Sequence, residues 1–236
     1  MSIVENLTTE LGDMNKKSQS MRQIPISAWT NAIRLSHQLK NNFQNMNTVL
    51  SAAHGSGDNK VEAFDLKKTI MDLSSEVILS LTDHEVDVDF SHEAGIPDTV
   101  FGNYHKFKQI VTILLTLGLN QANAERPMGC HLRFLRMDEN KNYIIGIEVV
   151  FPKGDKINLE KLNKILSNTA LDPDFFFEFK EELQIYDLGI FVLGHLTNED
   201  GDKIKANQKE DNVIEISLEM SFSLLNRGNN ILLMFS

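Results

Sequence analysis

Apolar residues in the first fifty positions recur every three to four residues. Val4, Leu7, Leu11, Met14 and Met21 form a thin seam on a polar segment, which reads as a short helix or a frayed N-terminal tail. Pro25 interrupts the pattern, and Ser27 is placed to cap a second helix running from about residue 27 to 53. Ala28, Ala32, Leu35, Leu39, Met46, Val49 and Ala53 share one stripe there, widened by Trp29, Phe43 and Leu50. A stripe that broad exceeds what a solitary surface helix can bury, so it calls for a helical bundle, completed by a second copy of the chain. The run His54-Gly-Ser-Gly-Asp-Asn-Lys60 then reads as a flexible loop. It divides the chain into a helical segment, 1–58, and a larger domain, 59–236.

The larger part mixes periods. Residues 64–81 read as a helix with Asp65 near its start, and 85–90 alternate as a strand. A long helix is expected over 104–123. Strands over 130–137 and 143–151 flank the turn-like Asp138-Glu-Asn-Lys-Asn142. Helices follow over 158–167, 174–183 and 184–196, then strands over 203–206 and 213–224. The pattern predicts an α+β domain, an α/β sandwich with a mixed sheet and helices on one face.

Composition narrows the functional classes. A net charge of −10 over 236 residues disfavours a phosphate backbone, so nucleic acid is not an expected partner. No apolar run is long enough to span a membrane, and Met1-Ser-Ile-Val-Glu lacks the order of a signal peptide. The single cysteine, Cys130, excludes an internal disulfide and fits a reducing, cytoplasmic compartment. The histidines show no zinc-like spacing, and His92, His105 and His131 read as ordinary surface or strand residues. Glu181-Glu182 and the run Asn198-Glu-Asp-Gly-Asp202 read as solvated.

A set of short motifs lies in a characteristic order from Phe64 onward. They are Phe64-Asp-Leu-Lys-Lys-Thr-Ile, then Ile96-Pro97 with Val100-Phe-Gly102, then Phe107-Lys-Gln-Ile-Val111. Gly129 follows with the alternating His131–Met137, then Leu188-Gly-Ile190, and Ile204 with the closing strand. In order and spacing they resemble the ATP-binding domain of sensor histidine kinases, which shares its fold with DNA gyrase B and the heat-shock ATPase chaperones. In that family one asparagine on the long helix ligates magnesium and a second follows it. The resemblance places Ile113 and Leu117 at those positions. The family's Asp-x-Gly-x-Gly box binds adenine through its aspartate, and Phe151 falls there. The phosphate-side glycine loop reads Ile185-Tyr-Asp-Leu-Gly-Ile190, with Gly189 alone of three glycines and an anion, Asp187, beside it. The resemblance therefore implies a degenerate kinase domain without a nucleotide cofactor. The run Phe175-Phe-Phe177 with Phe179 occupies the family's lid segment, where it could fill the emptied pocket or dock a partner.

Ser36-His37-Gln38-Leu39-Lys40-Asn41-Asn42-Phe43 carries the candidate chemistry. It resembles the phosphoacceptor motifs S-H-E-L-R-x-P-L and H-R-x-K-N-N-L-Q of histidine kinases and H-x-L-K-G of phosphotransfer domains. An imidazole nitrogen can attack a phosphoryl group held by an aspartate, and Lys40, one turn on, can steady its charge. Gln38 replaces the acidic neighbour used by kinases, which weakens a kinase role more than a transfer role. His37 sits roughly 160–200° around the helix from Leu35 and Leu39, facing solvent. Against this, the stretch from His37 to Phe64 is too short for the returning helix of a kinase hairpin. On that spacing the helix over 27–53 is the hairpin's second helix, and His37 is a plain polar residue. Both readings stay open.

Three functions follow from the resemblance. One is a homodimeric phosphorelay protein, a histidine phosphotransferase or pseudokinase that docks a response regulator receiver domain without using ATP, with His37 and Lys40 as its site. The second is a non-catalytic scaffold acting on a cognate kinase or regulator. The third is a kinase fragment that binds ATP through divergent residues.

Overall fold

The computed structural model describes residues 60–81, 88–122, 127–154, 157–167, 188–199, 201–209 and 212–224, with residues 31, 32, 35, 36, 39, 40, 43 and 45–47 of an N-terminal helix. The flexible loop and domain boundary near 54–60, the Val4–Met21 seam, Trp29, His37, Glu181-Glu182, the helix expected over 174–183 and the phenylalanine run lie outside the described residues, apart from Lys60.

Strand β1 (Glu62–Asp65) leads directly into α1 (Leu66–Leu81). Phe64 was expected to be helical, but β1 pairs antiparallel with β3 (Thr99–Gly102), placing Phe64 opposite Val100. Tertiary pairing decides here, because Phe64 gains a core contact with the rings of Phe107 and Phe222. Asp65 ends the strand and caps the helix, its Oδ1 accepting from the Lys68 amide at 2.8 Å.

The main sheet has five strands in the order β2-β4-β5-β7-β6. They are β2 (Val88–His92), β4 (Met128–Met137), β5 (Tyr143–Pro152), β6 (Lys203–Lys209) and β7 (Val213–Phe222). β2 runs parallel to β4 and the remaining pairs are antiparallel, so the sheet is mixed as the pattern predicts. Of the strand expected over 85–90, the described part begins at Val88.

Strict alternation sets the layers. On β7, Ile214, Ile216, Leu218, Met220 and Phe222 are buried, and the intervening Glu215, Ser217 and Glu219 face the other way. The buried face receives α2 (Tyr104–Leu119), α3 (Leu159–Leu166) and α4 (Leu188–Glu199), with α1 packed on α2. The helix-free face carries ion pairs between strands, including Arg133–Glu148 at 3.2 Å and Arg136–Glu219 at 3.0 Å. The result is the α/β sandwich with helices on one face. Among the described residues no helix is long and apolar enough to cross a membrane.

Candidate functional site

Helix α2 forms one wall of the candidate site. Asn103 starts it, its side chain accepting from the Lys106 amide at 2.9 Å. Ten of its sixteen residues are buried, so the helix is covered on more than the sheet side alone. Ile113 and Leu117 are each 7% exposed and belong to the continuous core. Neither side chain carries a donor or acceptor.

The end of β5 forms the opposite wall. Phe151 is 1% exposed and pairs across the sheet with Ile214. Its ring lies against α2 where that helix has Gly118. A Cβ placed there would stand 3.3 Å from Phe151 Cδ1 and would overlap Met128 Sδ. The glycine thus lets a phenyl ring and a thioether fill the space between helix and sheet. Just beyond, Gly154 lies so close to the Gln121 carboxamide that a Cβ would collide with its oxygen.

Helix α4 closes the third side, with Gly189 and Ile190 buried at its start. Gly194 lets it approach the end of α3, since a Cβ would lie 2.6 Å from the Ile165 carbonyl oxygen. Asn198 donates to that same end, reaching the Leu166 carbonyl at 2.9 Å. Asn198 and Asp202 therefore depart from the expected solvated run. The Asp202 side chain is 9% exposed, and its Oδ2 stands 3.5 Å from Nζ of Lys106, whose side chain is 8% exposed. The run looks solvated because charge alone gives no hint of a cation brought from ninety residues away.

Two titrating groups are displaced by these surroundings. Burial pushes the Cys130 thiol up to about 12. Lys67, hydrogen-bonded to Asp98 at 2.9 Å, holds that exposed carboxyl below its ordinary value. Among the described residues no cluster of histidine, cysteine, aspartate or glutamate could hold a metal ion. A cavity of about 400 Å³ opens on the helix-free side of the β4–β5 end, beside Asp89, His131, Val150 and Val213. His131 bonds the Ser91 hydroxyl there at 2.6 Å, a strand residue satisfied by its neighbour.

Of the two candidate chemical residues, Lys40 is described. Its Nζ lies 3.1 Å from Glu76 Oε1 on α1. Five residues on, Asn45 is 5% exposed and its Oδ1 accepts from Gln109 Nε2 of α2 at 3.1 Å. Sequence reasoning missed Glu76 and Asn45, and it placed Gln109 in a helix motif without this contact. Nothing in the local pattern says which polar face of a helix will meet another polar face.

No protein-family model matches the chain, and no curated protein does. Solved structures do. The histidine kinase AdeS of Acinetobacter baumannii superposes with a TM-score of 0.55 at 11% identity, covering 93% of this chain and 95% of that one. Full-length ShkA in complex with AMPPNP gives 0.50 at 13% identity, covering 93% of this chain and 46% of that one. ThkA in complex with the response regulator protein TrrA gives 0.49 at 15% identity, covering 92% and 58%. The chain has a histidine-kinase-type fold.

Proposed function

We propose that this chain is a histidine-kinase-like protein of two-component signalling that has exchanged its nucleotide grip for a packed core. It would serve in a phosphorelay as a histidine phosphotransferase or pseudokinase. The observation that carries this reading is Phe151, 1% exposed and stacked over Gly118 where the resemblance expects the adenine-binding aspartate. A phenyl ring offers no acceptor, and Ile113 and Leu117 offer no ligand to magnesium. On this reading ATP is not the phosphoryl source, and a phosphorylated receiver domain takes that place.

In the transfer, a His37 ring nitrogen attacks the phosphorus of the regulator's aspartyl phosphate. The new N–P bond forms as the O–P bond breaks, the aspartate leaves as carboxylate, and the ring proton passes to water. Lys40 supplies charge one turn away. The helical segment 1–58 pairs with that of a second copy. That part of the reading is supported by Phe43 and Met46, which are 56% and 50% exposed on one helix face. The acidic chain works in the cytoplasm with a receiver domain, and not with nucleic acid.

A second reading is favoured by the Lys40–Glu76 pair. A lysine already opposite a carboxylate is less available to a phosphoryl group, which suits a non-catalytic scaffold that binds a kinase or regulator.

The test is to mix the chain with a receiver domain charged by radiolabelled phosphoryl donor. Label on the wild type and none on His37→Ala supports transfer. Regulator binding with no label on either supports the scaffold. Micromolar, magnesium-dependent binding of a nonhydrolysable ATP analogue would overturn both.

A further inference from the structure

The N-terminal helix meets the kinase-like domain at two separate elements. Lys40 Nζ reaches Glu76 Oε1 on α1 at 3.1 Å, and Asn45 Oδ1 receives Gln109 Nε2 of α2 at 3.1 Å. Glu76 is shared, because Lys108 of α2 approaches its other oxygen at 3.7 Å. Five residues of helix separate the two contacts, about 7.5 Å along its axis. A body touching at one point can pivot. One touching two elements at that separation is fixed in both rotation and register.

The two contacts differ in weight. The lysine pairs are largely exposed and individually weak. The amide pair is the specific one. Asn45 is 5% exposed, so its polar atoms have lost most of their water, and Gln109 supplies the replacement. An apolar contact would tolerate a slip along the helix. A directional amide pair tolerates it less, since a slip breaks the hydrogen bond that the buried Asn45 accepts from Gln109. The same helix buries Leu35 and turns Phe43 and Met46 outward, so docking on the domain covers only part of its apolar surface.

We propose that Asn45–Gln109, with the Lys40–Glu76–Lys108 fork, is a latch that holds the N-terminal helix on the α1/α2 face, so that helix and domain move as one body. An enzyme that carries nucleotide to its own histidine must let its domain swing. A latched helix instead presents one fixed composite surface. The latch is a property of the free chain and does not require the phosphotransfer reading.

Spin labels at Ser36→Cys and Met71→Cys, both exposed positions, report helix against domain. The full chain is used, with labelled molecules diluted into unlabelled chain to suppress distances between copies. Buried Cys130 stays unlabelled. The latch predicts one narrow distance distribution. It should broaden in Gln109→Ala with Glu76→Lys, and Lys40→Glu added to that pair should narrow it again in part. Amide protection around Asn45 should fall ~10-fold in Gln109→Ala, the cost of about one hydrogen bond. A broad wild-type distribution, or one unchanged by the double substitution in a chain that keeps its circular dichroism, overturns the latch. Neither result depends on a regulator or on phosphate, so either outcome leaves the phosphotransfer question separate.

Discussion

Phe151 occupies the space that Gly118 vacates. The ring edge would stand 3.3 Å from a Cβ at position 118, with Met128 pressed into the same gap. Helix and sheet are joined there by apolar packing, in the region where a nucleotide-binding relative would need polar groups. Phe151→Ala should therefore cost about 3–5 kcal/mol of stability, the usual range for a fully buried phenylalanine. Urea unfolding checks the magnitude. Phe151→Asp should cost at least as much and should not confer triphosphate binding by calorimetry, because a carboxylate would be buried beside Ile214 in place of a ring that is 1% exposed.

Much of this arrangement was legible in the sequence, and the reason is periodicity. The alternation of Ile214, Ile216, Leu218 and Met220 fixes one face of β7 whatever surrounds it. The spacing of Phe107, Ile110, Val111 and Leu114 does the same for α2. Phe64 was misread because its neighbours favour a helix, and only β3, more than thirty residues away, makes it a strand. The resemblance sets Phe151, Ile113 and Leu117, all apolar, where the family has polar groups, and the structure places all three in the core. The site's polar contacts were not legible. Lys106–Asp202 and Asn45–Gln109 join residues far apart in the chain, and charge or amide content carries no address.

The buried Lys106–Asp202 pair leads to a second expectation. Both side chains are under one-tenth exposed, so removing one partner leaves a charge with little water and a lost counter-ion. Lys106→Met should destabilise the chain by about 3–5 kcal/mol, and Lys106→Met with Asp202→Leu should recover a large part of that loss. Thermal or urea unfolding of the two single and the double variants measures the coupling. A double-variant loss equal to the sum of the two single losses would show that the pair contributes nothing as a pair.

Cys130 should make stability fall at high pH. Its folded value is raised to about 12 from an ordinary 9.0, so the folded state keeps the proton while the unfolded chain releases it. A raised folded value contributes fully below the unfolded value and is lost as pH climbs towards the folded one. The loss should begin above pH 9 and run towards pH 12. Cys130→Ala should flatten that part of the profile. Below pH 9 the thiol should resist alkylating reagents until the chain opens, and a burst of native-state labelling would contradict its burial.

Phe43 and Met46 stand three positions apart on one helical face and keep about half their surface in water. Two large side chains left open beside a folded domain carry a standing hydrophobic cost that a second helix can remove. If the bundle forms between two copies, Phe43→Glu with Met46→Glu should turn a dimer into a monomer in sedimentation equilibrium. The kinase-like domain should keep its unfolding midpoint, since neither residue belongs to its core. The change should act mainly through dissociation, because two carboxylates facing their own symmetry mates add repulsion to the lost burial. A wild-type chain that sediments as a monomer at tens of micromolar, or a double variant that remains dimeric, would place the dimer contact elsewhere on the molecule.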